Sequence, residues 1–323
     1  MPYASIVVPA FNATATLQAT LDSLTVQGFR DMEIVVVDDG STDGTAEMTE
    51  AAARRDHRIR LVQQGNRGLA GARNSGIAAA TGEVVGFCDA DDLWMPGKLG
   101  THTAHLKSEP QVGLSYSGSA LIDTAGRLTG HAQRPRLHGV TAAHVLKRNP
   151  VGNGSAPVMR RAALDSLAWQ PSHEQTRPWV FDETFRQSED IECWLRLMLT
   201  TGWQIEGVPG ALTLYRVNQG GLSANTERQF DAWQRMVDML TPHNPTFFAR
   251  QTPAARAYQL RYLARRALRL GQARRDALKF AAKGIITSPA GFFNSPRRGA
   301  LTLIGALSTL ILPARVSQFI FSR

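Results

Sequence analysis

The feature that most restricts this chain is a repeated coupling of a short apolar run to a polar or acidic cluster. "SIVVPAFN" starts at Ser5, "EIVVVDDGSTD" at Glu33 and "EVVGFCDADD" at Glu83. Runs of four or five apolar residues without alternation fit strands buried on both faces. Helical patterns lie between them. In "TATLQATLDSLTVQ", Leu17, Leu21 and Leu24 fall on one face, and Ser41 or Thr42 is placed to cap the helix "DGTAEMTEAAARR". "IRLV" is a further strand, and "LAGARNSGIAAA" an Ala-rich helix stopped by Gly82. Such β-α-β repetition predicts an α/β fold with a mainly parallel sheet and helices on both faces. Sheets of this class bind ligands beyond the carboxyl ends of their strands, which is where Asp38, Asp39, Asp89, Asp91 and Asp92 fall.

Carboxylates gathered on one rim repel one another unless a cation joins them. Oxygen ligands at this spacing suit Mg2+ or Mn2+, ions that hold one or two protein carboxylates while binding substrate phosphates. A single Asp after a strand is more often an ordinary turn or capping residue. Three polar clusters at equivalent strand ends argue for a shared site.

At 323 residues and 43% hydrophobic content, the chain suits one large domain with an appendage or two modest domains. Cys88 and Cys193 are too few for a disulfide framework, and "MPYASIVVPA" reads as a first strand rather than an export leader. A reducing, cytoplasmic compartment is therefore expected. Charge divides the chain unevenly: residues 227 to 323 carry 16 Lys and Arg against 4 Asp and Glu, while residues 1 to 226 carry 20 against 23. The expected organisation is a catalytic domain over 1–226 and a basic helical region over 227–323.

That region reads as helix throughout. Arg261, Arg265 and Arg269 form one stripe, with Leu260, Leu263, Ala267 and Leu270 on a different side. "ALTLIGALSTLIL" follows, flanked by Arg297, Arg298 and Arg315. Its 13 residues span about 20 Å as a helix, short of a hydrocarbon core of about 30 Å. Lying in the interface of an anionic membrane, at the inner face of the plasma membrane, is one use for it. A packing or dimerisation helix is the other, so a homo-oligomer stays among the expected partners. Anionic lipid is favoured over nucleic acid as the polyanionic partner.

The segments "SIVVPAFN", "EIVVVDDGSTDGT", "NRGLAGARNSGI", "TGEVVGFCDADD", "LWMPGKL", "FDETF" and "SEDIECWLRL" together resemble the family 2 inverting glycosyltransferases, which have the GT-A fold of nucleotide-diphospho-sugar transferases. The resemblance covers roughly residues 5 to 200 and implies a role for each matching position. Pro9, Ala10 and Phe11 would border the nucleotide base, with Asp39 accepting a hydrogen bond from it. Such an acceptor favours uracil, with thymine and guanine left open. Arg73 would lie near the base or phosphates, Asp89 near the ribose with Ala90 beside it, and Asp91 on the metal. Asp190 would be the base for the acceptor hydroxyl, although acidic residues in a first helical turn are also favoured by the helix dipole alone. Ser188 is placed to cap that helix, whose buried stripe would include Ile191, Trp194, Leu195 and Met198. The implied reaction moves a sugar from a nucleotide-diphosphate sugar, a UDP-sugar by preference, to a sugar or lipid-linked acceptor in cell-surface polysaccharide or glycolipid assembly.

Asn218 departs from the pattern, standing where many relatives carry a His that assists the metal or diphosphate. The polar segment "NQGGLSAN" around it is read as a loop that orders over the donor, or as a plain surface turn. Asn153, Gly154 and Ser155 are expected along the cleft, and Trp169 and Trp179 either face a sugar or belong to a core. A sugar-nucleotide pyrophosphorylase should show a Gly-rich basic loop after the first strand, and a dehydrogenase G-x-G-x-x-G; neither occurs. A catalytically inactive sugar-nucleotide-binding or membrane-scaffold protein is the non-enzymatic alternative, against which "DADD" and "SED" both argue.

Overall fold

The computed structural model describes residues 1–217, 226–270, 274–293 and 296–308. Asn218, "NQGGLSAN", Arg315 and the end of the last apolar segment lie outside the described residues. Two compact units emerge, Met1–Thr141 with Pro150–Asn218, and Ala142–Asn149 with Gln219–Arg323.

The first unit opens as the apolar periodicity requires, with β1 (Ala4–Ala10), α1 (Leu17–Thr25), β2 (Met32–Asp38), α2 (Thr45–Arg55), β3 (Ile59–Gln63), α3 (Gly68–Ala79) and β4 (Val84–Phe87). It continues through β5 (Leu93–Trp94), α4 (Lys98–Ser108), β6 (Val112–Ile122) and β7 (Leu128–Gln133). After α5 (Ala142–Lys147), which belongs to the second unit, come β8 (Val158–Arg160), α6 (Arg161–Leu167), α7 (Glu189–Thr200) and β9 (Gln204–Arg216).

The sheet runs β3-β2-β1-β4-β8-β6-β9-β5, with β7 paired to β6. β3, β2, β1 and β4 are mutually parallel, β8 is antiparallel to β4 and β6, and β9 runs parallel to β6. This is the expected mainly parallel α/β sheet with flanking helices. Register sets the functional edge. Ala10 pairs with Asp38, and Val7 with Phe87, so the segments after β1, β2 and β4 leave the sheet side by side. Ile6, Val8, Ile34 and Val36 join Leu17, Leu21 and Leu24 in the core beneath that edge.

The cap of α2 differs from expectation. Gly44, at φ 85°, precedes the helix, and the Asp43 carboxylate accepts from Thr45 N at 3.2 Å and Thr45 Oγ1 at 2.6 Å. Ser41 and Thr42 tie strand ends together instead: Asn12 N donates to Ser41 Oγ, and Thr42 N to Asn12 Oδ1, both at 2.9 Å.

The second unit contains α5, α8 (Thr226–Leu240), α9 (Pro245–Leu270), α10 (Arg274–Thr287), α11 (Ala290–Phe293) and α12 (Pro296–Ser308). α9 packs against all five of the others. Its Leu260, Leu263 and Ala267 are buried as the pattern requires. Arg261, on the basic stripe away from these leucines, is also buried and lies 4.7 Å over the Tyr258 ring. A central helix packed on several sides has no continuous solvated face. Among the described residues no helix is long and apolar enough to cross a membrane.

Candidate active site

The strand ends form the first wall. Pro9 and Ala10 are buried at the end of β1, while Phe11, the next residue, is 53% exposed. Asp39 N donates to Ala10 O at 2.9 Å, which joins the ends of β1 and β2. The Asp39 carboxylate accepts three hydrogen bonds, from Gln64 Nε2 at 2.6 Å, Arg67 N at 2.8 Å and Gly68 N at 2.8 Å. It therefore satisfies the leading amides of α3 from a different strand. Asp38 Oδ1 accepts from Ser41 N at 3.0 Å.

The acidic loop after β4 has divided duties. Asp92 is fully buried, with Oδ2 accepting from Ser155 Oγ at 2.6 Å and Oδ1 from Arg216 N at 2.8 Å. Burial, and then the charges of Asp89 and Asp91, hold its carboxyl well above the usual range. Ser155 Oγ also accepts from Asp89 N at 2.9 Å. Thr20 Oγ1, from α1, lies 3.0 Å from the Ala90 carbonyl and 2.9 Å from that of Asp92. The loop is thus fixed from three sides. The expected rim of five repelling carboxylates is corrected by this arrangement, because Asp38, Asp39 and Asp92 are engaged by protein donors. Burial and the neighbouring Asp89 charge push the Asp91 carboxyl up to about 6, with a backbone amide and the Arg216 charge acting in the opposite direction.

Arg73 connects this loop to the start of α7. Its side chain is only 2% exposed, with Nη2 donating to Asp89 Oδ1 at 2.9 Å and Nη1 to Glu189 Oε1 at 2.7 Å. The guanidinium lies 5.5 Å from the Phe181 ring centroid. Gly154 is adjacent, where a Cβ would collide with that guanidinium and approach the Asp89 carboxylate. Burying a guanidinium is tolerable when two carboxylates compensate it, and their charges hold Arg73 firmly protonated.

Asp190 follows Glu189 in the first turn of α7, half-buried. Burial and the Glu189 charge push its carboxyl up to about 7, with Arg73 and the amide of Ile191 acting in the opposite direction. Ile191 N donates to its Oδ1 at 2.8 Å. Ser188 occupies the capping position but not in the expected way: its φ is 66° and its side chain makes no capping bond. A left-handed conformation at a non-glycine residue is uncommon, and here it directs the chain into the acidic turn. Trp194 and Leu195 are buried as expected, but Cys193 and Leu197 complete the inner face, leaving Ile191 and Met198 half-exposed.

The segment around Trp169 and Trp179 clips onto α3. Asn74 Oδ1 accepts from Val180 N at 3.0 Å and Phe181 N at 2.9 Å, while Arg177 donates to Ser75 Oγ, Gly71 O and Glu183. Trp179 is buried with its ring edge against Trp169, and the Arg196 guanidinium lies 4.4 Å over Trp169. Trp179 thus belongs to the core, while Trp169 is half-buried.

Several contributors went unread in the sequence. Lys98 is fully buried on α4, donating to Ser155 O at 2.8 Å, Ala156 O at 2.9 Å and Thr213 Oγ1 at 2.7 Å, with Trp94 Nε1 on the same Ser155 carbonyl. Arg216 Nε donates to Asp91 O at 2.8 Å and its Nη1 to the carbonyls of Asp123 and Thr124. Asn153 and Ser155, expected along a cleft, are buried in this scaffold. "LWMPGKL" was visible as a motif segment, yet nothing in it announces a buried lysine, and nothing around Arg216 announces an arginine serving backbone carbonyls.

Among the described residues no group of three or more His, Cys, Asp or Glu is arranged to hold a metal ion. Mg2+ or Mn2+ does not require one, since substrate phosphates and water complete the shell around one or two carboxylates. Asp91, beside Asp89 and with its carboxyl raised by burial and by that neighbouring charge, fits that requirement.

A mainly parallel sheet with this acidic edge, flanking helices and a C-terminal helical region defines the GT-A class of fold. The chain belongs to glycosyl transferase family 2, whose sequence profile matches residues 5–167. Over 226 residues it is 28% identical to the UDP-Glc:alpha-D-GlcNAc-diphosphoundecaprenol beta-1,3-glucosyltransferase WfaP of Escherichia coli, covering 70% of this chain and 81% of that protein. It is 46% identical over 92 residues to the uncharacterized glycosyltransferase EpsJ of Bacillus subtilis, a stretch covering 28% of this chain and 27% of EpsJ. The match thus spans only a fraction of some relatives. The structure is similar to the mannosyltransferase PcManGT of Pyrobaculum calidifontis, solved with GDP-Man and Mn2+, with a TM-score of 0.59 and 21% identity across 99% of this chain and 84% of that one.

Proposed function

We propose that the protein is an inverting glycosyltransferase that moves a sugar from a nucleotide-diphosphate sugar to an acceptor hydroxyl by single displacement. The observation that carries this reading is the Arg73 bridge, which joins the donor-side loop at Asp89 to the acidic turn holding Asp190. A base and a donor site must be held in fixed relation for an in-line attack.

On this reading Pro9, Ala10 and Phe11 border the base, and Asp39 accepts its ring N–H. Three of the roughly four acceptor positions of that carboxylate are already filled, leaving one on Oδ2. UDP is the favoured carrier, consistent with the donor named for WfaP, although the GDP-Man in PcManGT keeps guanine open. Asp89 and Ala90 lie along the ribose. Asp91, with substrate phosphates, would hold Mg2+ or Mn2+, which when bound neutralises charge on the leaving diphosphate.

Asp190 accepts the acceptor proton as the hydroxyl oxygen bonds to the anomeric carbon and the carbon–oxygen bond to the diphosphate breaks. A carboxyl raised to about 7 is well matched to general-base work near neutrality. Attack opposite the leaving group inverts the anomeric centre. The acceptor is a sugar or lipid-linked sugar, in keeping with the name of WfaP, and cell-surface polysaccharide assembly is the corresponding role.

Asp190→Asn separates the two halves of this proposal. Donor affinity, measured by calorimetry with UDP-sugars, should stay within about threefold, while transfer falls by at least about 10²-fold, the low end for loss of general-base catalysis. Near-normal transfer by the variant would remove Asp190 from the mechanism.

A further inference from the structure

α12 is inverted relative to an ordinary surface helix. It buries small residues, Gly299, Thr302, Gly305 and Ala306, and exposes large ones. Leu301 is 54% exposed, Ile304 62% and Leu307 55%, and successive spacings of three put all three on one side of the helix. Its orientation is fixed by close approach, because a Cβ at Gly299 would collide with the Phe292 carbonyl. Rotating the large residues inward would therefore drive bulk into a contact that glycine alone permits. Phe293 at the end of α11 and Ile286 in α10 are 70% and 84% exposed.

Charge decides what covers this face. From Ala277 to Arg323 the chain carries six basic residues and no Asp or Glu. Arg297 and Arg298 are exposed in the first turn of α12, at one end of the apolar row. A second copy of the same face would add a like-charged segment to this one, with no Asp or Glu between residues 277 and 323 to offset it. An anionic bilayer offers apolar depth for the leucines and isoleucine and negative headgroups for the arginines.

We infer that the outward face of α12, Leu301, Ile304 and Leu307 with Arg297 and Arg298, is a docking surface for anionic lipid on which the helix lies parallel to the membrane. This goes beyond the proposed transfer chemistry, which uses none of these residues. The 13 residues of α12 lie within the interface and do not span it.

The test is co-sedimentation of the full chain with vesicles of phosphatidylcholine alone or with 30% phosphatidylglycerol, at about 50 and 500 mM salt. Binding should require phosphatidylglycerol and weaken at high salt. Arg297→Gln and Arg298→Gln should each weaken it about fivefold, and the triple change Leu301→Ser, Ile304→Ser, Leu307→Ser by at least about tenfold. Circular dichroism and slow donor hydrolysis should stay at wild-type levels in the triple variant. No vesicle binding by the wild type would overturn the inference. So would a triple variant that binds like wild type but loses binding when residues 309–323 are removed, since the tail would then be the anchor. Sedimentation velocity showing a lipid-independent dimer that the triple variant abolishes would overturn it in favour of a second copy.

Discussion

At the ends of β1, β2 and β4, most of the buried polar groups described above are met by other groups of the same chain, with Arg73 Nε an exception among the described residues. Arg73 lies between Asp89 and Glu189, Asp92 between Ser155 and Arg216 N, and Lys98 on two carbonyls and a hydroxyl. In α10 to α12 the pattern differs: Ile286, Phe293, Leu301, Ile304 and Leu307 are exposed, and no Asp or Glu follows Asp276 in the sequence, although Lys279 pairs with Glu227. The first arrangement is what a site that must hold reacting groups in place requires, since preorganised dipoles and charges cost no rearrangement during reaction. The second is incomplete within the chain. On the proposed reading, internal satisfaction goes with the place of chemistry, and its lack with a surface for something external.

The comparison can be broken at four places, in decreasing order of expected effect. Asp91→Ala removes the one acidic group of the edge proposed to face metal and diphosphate. Transfer should fall by at least about 10²-fold, and donor binding measured in Mn2+ or Mg2+ should weaken with it. Unchanged affinity and rate would return Asp91 to the ordinary turn residues.

Arg73→Met should be costly in a different currency, folding. It leaves Asp89 and Glu189 unpaired, and urea unfolding should register a loss of about 3 to 5 kcal/mol. A kinetic signature distinguishes positioning from mere support. Arg73 favours the ionised form of Asp190, so removing its charge raises that pKa further above about 7. The acidic limb of the transfer rate should then move to higher pH, with activity recovering as pH rises, and Arg73→Lys should restore part of the shift. A limb that stays in place would confine Arg73 to structure.

Ser155→Ala deletes one hydroxyl that serves both Asp89 N and the buried Asp92. Stability should drop by about 1 to 3 kcal/mol, with a weakened donor affinity because the loop bearing Ala90 and Asp91 loosens. Wild-type unfolding and affinity together would show that Lys98, Trp94 and Thr20 hold the loop without it. The smallest effect belongs to the other region: changes on the outer face of α12 should leave hydrolysis of a soluble nucleotide sugar within about twofold, as for surface substitutions generally.

Much of the first unit was legible because its signals are local. Continuous apolar runs gave the strands, and Leu17, Leu21 and Leu24 gave the inner face of α1; the roles that family likeness assigns to Asp39, Asp89, Asp91 and Asp190 are proposals. What stayed hidden depends on partners distant in sequence. Arg73 meets Glu189 across 116 positions and Arg216 meets Asp92 across 124, so no local window contains both members. The cap of α2 was misread because Gly44 adopts a left-handed conformation that moves the helix start beyond Ser41 and Thr42. In the second unit, helix periodicity located the buried leucines of α9 but could not reveal that five helices pack against it and that Arg261, on the basic stripe, is buried as well. The outward face of α12 was hidden for a related reason: composition identifies an apolar segment, whereas only packing against Phe292 decides which side of it is covered.

The central claim is a single displacement at the anomeric carbon, and it is tested most directly without knowing the acceptor. Slow hydrolysis of an α-linked UDP-sugar by the wild-type protein, with Mn2+ or Mg2+ present, can be followed by proton NMR from the first minutes, before the released sugar equilibrates. Water replaces the acceptor hydroxyl at the same face, so the account predicts that the β anomer appears first and that Asp190→Asn suppresses its formation. First appearance of the α anomer would contradict single displacement.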